Sequence, residues 1–155
     1  MMSPEEAYEE AKKKKKRSEN LEAILLGDGL FAYLYAKNKI KGRWPEAEAI
    51  IAKSSSSIPY AKEVIGGRFK EAEELIAKSA LHSFIYARDV VHGRFEEGED
   101  SLANDGFYLQ RYAMLLGTLP SKLHNIMVLL SFGDESKDKV RNYFENLEGS
   151  PLVEE

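Results

Sequence analysis

One stretch constrains this chain more than any other, because it is written three times: Gly42-Arg43-Trp44-Pro45-Glu46-Ala47-Glu48, Gly67-Arg68-Phe69-Lys70-Glu71-Ala72-Glu73 and Gly93-Arg94-Phe95-Glu96-Glu97-Gly98-Glu99. Tyr35-Ala36, Tyr60-Ala61 and Tyr86-Ala87 each stand seven residues before the glycine, so the recurring unit is a module of 25 to 26 residues. A fixed short period is the mark of supersecondary units that cannot bury their apolar faces alone and do so by stacking.

Each module parses as two short helices. The first carries Tyr35, Ala36, Lys39 and Ile40, then Tyr60, Ala61, Val64 and Ile65, then Tyr86, Ala87, Val90 and Val91, a stripe at positions 0, 1, 4 and 5. Glycine follows at once, at the place where a left-handed residue ends a helix. Arginine and an aromatic residue form the connector, and Pro45 both opens the second helix and biases Trp44 towards an extended backbone. The second helix is expected to bury Ala47, Ile50 and Ile51, then Ala72, Leu75 and Ile76, at 0, 3 and 4. Its first turn is acidic, which complements the helix dipole. Helices of about 8 to 11 residues are marginal in water on their own, so neighbouring modules must hold them.

The ends depart from the pattern, as terminal repeats with one uncovered face do. Residues 1–19 read as a charged helix, opened by Ser3, Pro4 and Glu6 in a capping box and running into Lys12, Lys13, Lys14, Lys15, Lys16 and Arg17. Its apolar face is only Ala7, Tyr8 and Ala11, which predicts weak packing or none. Glu9 with Lys13 and Glu10 with Lys14 are spaced for i,i+4 pairs. Residues 20–27 read as a half-module that caps the amino-terminal end. Residues 20–117 hold the repeats, the last being Tyr112-Ala113 and its helix, with Gly98 a departure from alanine that weakens the third copy. Residues 118–149 read as two cap helices, one with Leu123, Ile126, Met127 and Leu130, the other with Val140, Tyr143, Phe144 and Leu147. Residues 150–155 read as a tail. The expected fold is a single-domain, all-α solenoid.

Composition excludes several classes of function. There is no cysteine, which removes disulfides, zinc-thiolate sites and thiol nucleophiles and suits a reducing compartment, so the expected location is the cytoplasm. No run of apolar residues predicts a signal peptide or a membrane span. His82, His92 and His124 lack a metal-ligand spacing, Ser54 to Ser57 read as a polar loop, and no nucleophile elbow or phosphate-cradling glycine loop is present. No catalytic residue, metal or cofactor is expected, and the chain is not read as an enzyme.

The candidate binding residues are cationic. Arg43, Arg68 and Arg94 recur at one place in the module, where stacking would align them along an edge. They either read an anionic ligand or pair with the glutamates that recur beside them. Lys12 to Arg17 either complement the dipole of their helix or contact phosphates or an acidic partner. Residues 1–79 hold 15 basic and 13 acidic side chains, and residues 80–155 hold 7 and 13, so a nucleic-acid role rests on the amino-terminal run alone. The recurring tyrosines, Trp44, Phe69 and Phe95 read as core rather than as base-stacking rings. Glu96, Glu97, Glu99, Asp100 and Asp105 read as a solvated face or as a patch for a basic partner.

The pattern Tyr-Ala-x-x-Val-Ile-x-Gly-Arg-Phe/Trp-Pro-Glu-Ala-Glu resembles the short helical repeats of uncharacterised proteins of bacteriophages and related viruses, over roughly residues 21–117. Lys70, Glu96 and Gly98 depart from it. The resemblance implies a viral origin, a repeat architecture and, with it, the host cytoplasm, but no activity. Together these readings describe a non-catalytic scaffold that binds a host or viral protein; the alternative is a nucleic-acid-associated protein that uses its basic amino-terminal helix.

Overall fold

The structure, a computed structural model, describes residues 1–124, and every regular element among them is helical. Most of the expected cap helices and the tail lie outside the described residues. The chain divides into two compact units, with the division between Leu75 and Ile76. The first unit holds α1 (Pro4–Lys13), α2 (Glu19–Leu25), α3 (Gly29–Tyr35), α4 (Pro45–Ala52), α5 (Ser57–Tyr60) and nearly all of α6 (Lys70–Ile76). The second holds α7 (Ala80–Tyr86), a 3-10 turn at Glu96–Gly98, α8 (Glu99–Ala103) and α9 (Gly106–Leu116).

The first helix of a module begins at a polar cap that recurs with the period. The carboxylate of Asp28 accepts from the N–H groups of Leu30 and Phe31, Ser79 accepts from His82, and Asp105 accepts from Phe107 and Tyr108. In the intervening module Ser54 takes the corresponding place, but its hydroxyl accepts from the Ser56 N–H, and the N-cap of α5, Ser56, makes no side-chain capping bond. The Asp28, Ser79 and Asp105 caps each stabilise their helices by about 1 kcal/mol. Gly27-Asp28-Gly29 is therefore a helix start as well as a turn.

The same helices end in a way that the apolar pattern does not announce. α3, α5 and α7 each run into a π-helical turn, at Ala36–Ile40, Ala61–Ile65 and Ala87–Val91. The cause is spacing. From Ala36 to Lys41, Ala61 to Gly66 and Ala87 to His92 the left-handed residue comes five positions after the alanine, and its N–H donates back to that alanine's carbonyl. In the fourth copy Gly117 comes four positions after Ala113, donates to it, and α9 stays α-helical. One extra residue in an otherwise equal span makes the wide turn.

This shifts the helix stop away from the expected glycines. The positive φ values belong to Lys41 (60°), Gly66 (71°), His92 (55°) and Gly117 (71°), one position before Gly42, Gly67 and Gly93 in the three full modules. Those glycines instead add a second bond to the alanine carbonyl, at 3.2, 3.1 and 3.1 Å. A Cβ on any of them would meet nothing within 4 Å, and nothing in the structure explains why glycine recurs there.

Trp44, Phe69 and Phe95 are buried, and each ring packs on the tyrosine of its own module, with centroids 5.2, 5.2 and 4.9 Å apart. Tilted and edge contacts of this kind add about 0.5–1.5 kcal/mol to the burial of the rings. The second helix buries Ala47, Glu48 and Ile51, then Ala72, Glu73 and Ile76, then Gly98, Glu99 and Leu102. The buried stripe is thus 0, 1 and 4, not the expected 0, 3 and 4. Seating a glutamate inside rotates the helix, and Leu75 is left 47% exposed.

α1 also differs from expectation. Ala7, Tyr8 and Ala11 are buried, and α1 packs on α2 and α3. Two alanines allow close approach, while the tyrosine supplies both area and a polar handle. Its ring lies 6.0 Å from that of Phe31 and its hydroxyl accepts from Asn38 Nδ2 at 2.8 Å. The helix stops at Lys13, and Lys14 is extended at φ −79° and ψ 141°. The ion pairs on its surface are Lys12–Glu9 at 2.6 Å and Lys13–Glu10 at 3.6 Å, at i,i+3.

Candidate functional site

The recurring arginine lies in the connector, and five residues later a glutamate stands in the first turn of the second helix. Arg43 Nε and Nη2 donate to the two oxygens of Glu48 at 2.7 and 2.7 Å, Arg68 to Glu73 at 2.6 and 2.8 Å, and Arg94 to Glu99 at 2.6 and 3.0 Å. The carboxylates sit inside, with Glu48 7%, Glu73 5% and Glu99 0% exposed. A planar fork matched to a carboxylate satisfies two acceptors at once, which is the condition for burying one.

A tyrosine from the following module completes the arrangement. Tyr60 Oη donates to Glu48 at 2.9 Å and accepts from the Trp44 N–H at 2.8 Å. In the second unit Tyr112 Oη donates to Glu99 at 3.2 Å and accepts from the Phe95 N–H at 2.9 Å. One hydroxyl therefore ties a connector, a buried acid and the next helix together. Lys122 Nζ adds a contact to Glu99 at 3.3 Å.

The electrostatics follow from these contacts. The Arg43 guanidinium holds the Glu48 carboxyl below its ordinary range, with burial opposing and the Tyr60 hydroxyl assisting. For Glu99 burial is the larger influence and pushes upwards, but Arg94, Lys122 and Tyr112 together outweigh it and the net shift is downwards. Burial pushes Tyr60 up to about 12, with the Glu48 charge acting in the same direction. Glu48 and Glu99 are thus ionised acids beside protonated tyrosines, an arrangement that holds charge in place.

Sequence reasoning left the role of Arg43, Arg68 and Arg94 open between pairing and ligand binding; the coordinates place all three on glutamates of their own modules. It took Glu99 for part of a solvated acidic face, whereas Glu99 is buried in a pair with Arg94. It also assigned Arg17 to the basic run. Arg17 instead donates to Glu22 at 2.6 and 3.1 Å, and Tyr35 Oη donates to Glu22 at 2.7 Å. The half-module at the amino terminus thus starts at Arg17, and the five-residue spacing from arginine to glutamate was the signal for it.

A second tie, also missed, runs through the π turns. Tyr33 Oη donates to Glu63 Oε2, and Lys37 Nζ approaches the same oxygen at 2.7 Å. Asn38 stands at the matching position in the preceding module and donates to Tyr8. Asn38 and Glu63, each three residues after a module tyrosine, thus reach back to tyrosines two helices earlier, on α1 and α3.

Of the basic run, Lys12, Lys13 and Arg17 are committed to Glu9, Glu10 and Glu22. Lys14, Lys15 and Lys16 are exposed at the bend after α1, with no carboxylate partner among the described residues. In the second unit, α7 and α9 present a different surface: Leu81, Phe107 and Met114 are 40, 55 and 57% exposed. There the Arg88 guanidinium lies 5.4 Å from the Phe84 ring and that of Arg111 3.3 Å from the Phe107 ring. Among the described residues no group of His, Asp and Glu could hold a metal ion, and no helix is long and apolar enough to cross a membrane. Comparison of the chain with protein-family models, with curated proteins and with solved structures finds no match.

Proposed function

We propose that the modules stack in one direction into an all-α solenoid that works as a non-catalytic scaffold for a partner protein. The observation that carries this reading is the use made of the recurring side chains. The arginines and glutamates pair with each other, the aromatic residues fill the core, and Tyr60 and Tyr112 lock one module to the next. In the second unit, large apolar side chains are left on the exposed face of the first helices. On α7 and α9 that face combines Leu81, Phe107 and Met114 with Arg88 and Arg111, and exposed aromatic residues beside arginine are the groups that dominate protein interfaces. Its occupant on this reading is an apolar protein surface rimmed by carboxylates that meet Arg111. The resemblance to phage repeats adds that the chain is phage-encoded and meets a host or viral protein in the host cytoplasm.

The test is comparative capture followed by reconstitution. Proteins retained by the wild-type chain from infected-cell extract, and lost by a Leu81→Glu, Phe107→Glu variant, are purified and titrated against both by calorimetry. A partner that binds the two chains equally would remove this face from the account.

A further inference from the structure

The lysines that the pairing leaves over are not scattered. Lys14, Lys15 and Lys16 follow α1 directly, and the ammonium of Lys39, in the π turn after α3, donates to the Lys14 carbonyl. That contact ties the π turn after α3 to the bend after α1. Lys41 is exposed at the left-handed stop of the same π turn and stands 26 residues after Lys15, at the same place in its module. The corresponding places further along hold Gly66 and His92, so a lysine stands at this place only in these two cases.

Several carboxylates of this unit are engaged with other cations, while Glu19 stands exposed three residues after Lys16. Glu9 and Glu10 hold Lys12 and Lys13, Glu22 holds Arg17, Glu48 holds Arg43 and Glu63 holds Lys37. Glu46 lies near enough to act on Arg17, which sets the border where the surface becomes mixed in sign. Among the described residues these five lysines have no carboxylate partner, in a chain whose net charge is −4.

From this we infer that Lys14, Lys15, Lys16, Lys39 and Lys41 form a phosphate-binding surface for a nucleic-acid backbone. The arrangement favours a linear polyanion, because the cations lie in two adjacent rows one module apart and not around a pocket. It favours backbone contact over base reading, because the aromatic residues of the connectors, Trp44 among them, are buried and offer no stacking face. Recognition should be independent of sequence and steeply dependent on salt.

The experiment is fluorescence anisotropy of a labelled DNA duplex titrated with the full chain. With five phosphates neutralised, log K should fall against log salt with a slope of about −4.5. Lys14→Glu, Lys15→Glu, Lys16→Glu should weaken binding more than tenfold at low salt, Lys39→Glu, Lys41→Glu should weaken it severalfold, and Lys53→Glu should leave it unchanged. Fluorescence of Trp44 checks that each variant is folded, and the corresponding Lys→Gln set serves if a reversal disturbs the fold. Three outcomes would overturn the inference: no binding at low salt, binding that both lysine sets leave intact, or binding of anionic phosphatidylserine vesicles without binding of the duplex.

Discussion

Tyr60→Phe removes one oxygen atom, and the structure assigns that atom two bonds. The hydroxyl donates to the ionised Glu48 at 2.9 Å and accepts from the Trp44 N–H at 2.8 Å, in a place where Tyr60 itself is fully buried. Loss of a hydrogen bond to a charged group costs about 1.5–3 kcal/mol. Stranding a buried N–H costs a further 1–3 kcal/mol, roughly. Phenylalanine leaves the ring contact with Phe69 in place and opens no cavity, so the change should destabilise the chain by about 3–5 kcal/mol through polar terms alone. Tyr35→Phe is the internal control. Tyr35 donates to Glu22, which Arg17 holds from a half-exposed position, and its hydroxyl accepts no connector N–H. The cost there should be nearer 1.5 kcal/mol, about what one bond to a charged group is worth. Urea unfolding followed by fluorescence of the single tryptophan, which is Trp44 inside the same node, reads both variants. A Tyr60→Phe chain within about 0.5 kcal/mol of wild type, or one no worse than Tyr35→Phe, would refute the reasoning, since surface changes of no consequence fall in that range.

Further outcomes follow from other positions. A Cβ on Gly98 would lie 2.4 Å from Ser83 Oγ and 2.7 Å from Phe95 Cδ1, so Gly98→Ala should lower stability by about 1–3 kcal/mol in a thermal melt, as overpacking does. Phe69→Ala should cost roughly 3–5 kcal/mol in the same assay, because the ring is wholly buried. At the left-handed helix stops, Gly66→Ala should destabilise by about 1–2 kcal/mol, while Lys41→Gly and His92→Gly should be neutral or slightly stabilising. The pH dependence has two limbs. Glu22 and Glu48 titrate below their ordinary 4.5 in the folded chain, so their contribution is present above that value and is lost as pH falls through the lowered one. Tyr35 and Tyr60 are raised from 10.0 to about 12, so theirs is present below 10.0 and is lost as pH rises through the raised value. Urea midpoints measured across pH should decline on both sides.

Much of the helical organisation was legible because repetition exposes it. Three copies of one sentence mark the module, the capping box at Ser3 marks the first helix, and the aromatic residues of the connectors recur at core spacing. What escaped was governed by side chains whose role the apolar pattern cannot show. Glu99, read as part of a solvated face, is buried because Arg94 five positions earlier and Tyr112 from the next module satisfy it, and in the second copy the buried Glu73 goes with a helix turned so that Leu75 is exposed. The π turns depend on one residue of spacing between alanine and the left-handed stop, which is visible only when the fourth copy, one residue shorter, is set beside the others. The docking of α1 escaped because alanine contributes closeness and little apolar area. Of the candidate site residues, the arginines were found for the right spacing, but the basic run divides into paired and unpaired members only through Glu9, Glu10 and Glu22.

The claim on which the rest depends is that Arg43, Arg68 and Arg94 hold the connector of each module to its own second helix through their glutamates. A double-mutant cycle in urea tests it most directly, taking Arg43→Gln, Glu48→Gln and the two combined, then the same set for Arg94 and Glu99. With carboxylates this buried and both guanidinium nitrogens engaged, the coupling in each cycle should lie at about 1–3 kcal/mol. Coupling below about 0.5 kcal/mol in both cycles, the level of independent sites, would contradict the claim and return the arginines to the list of residues free to serve a ligand.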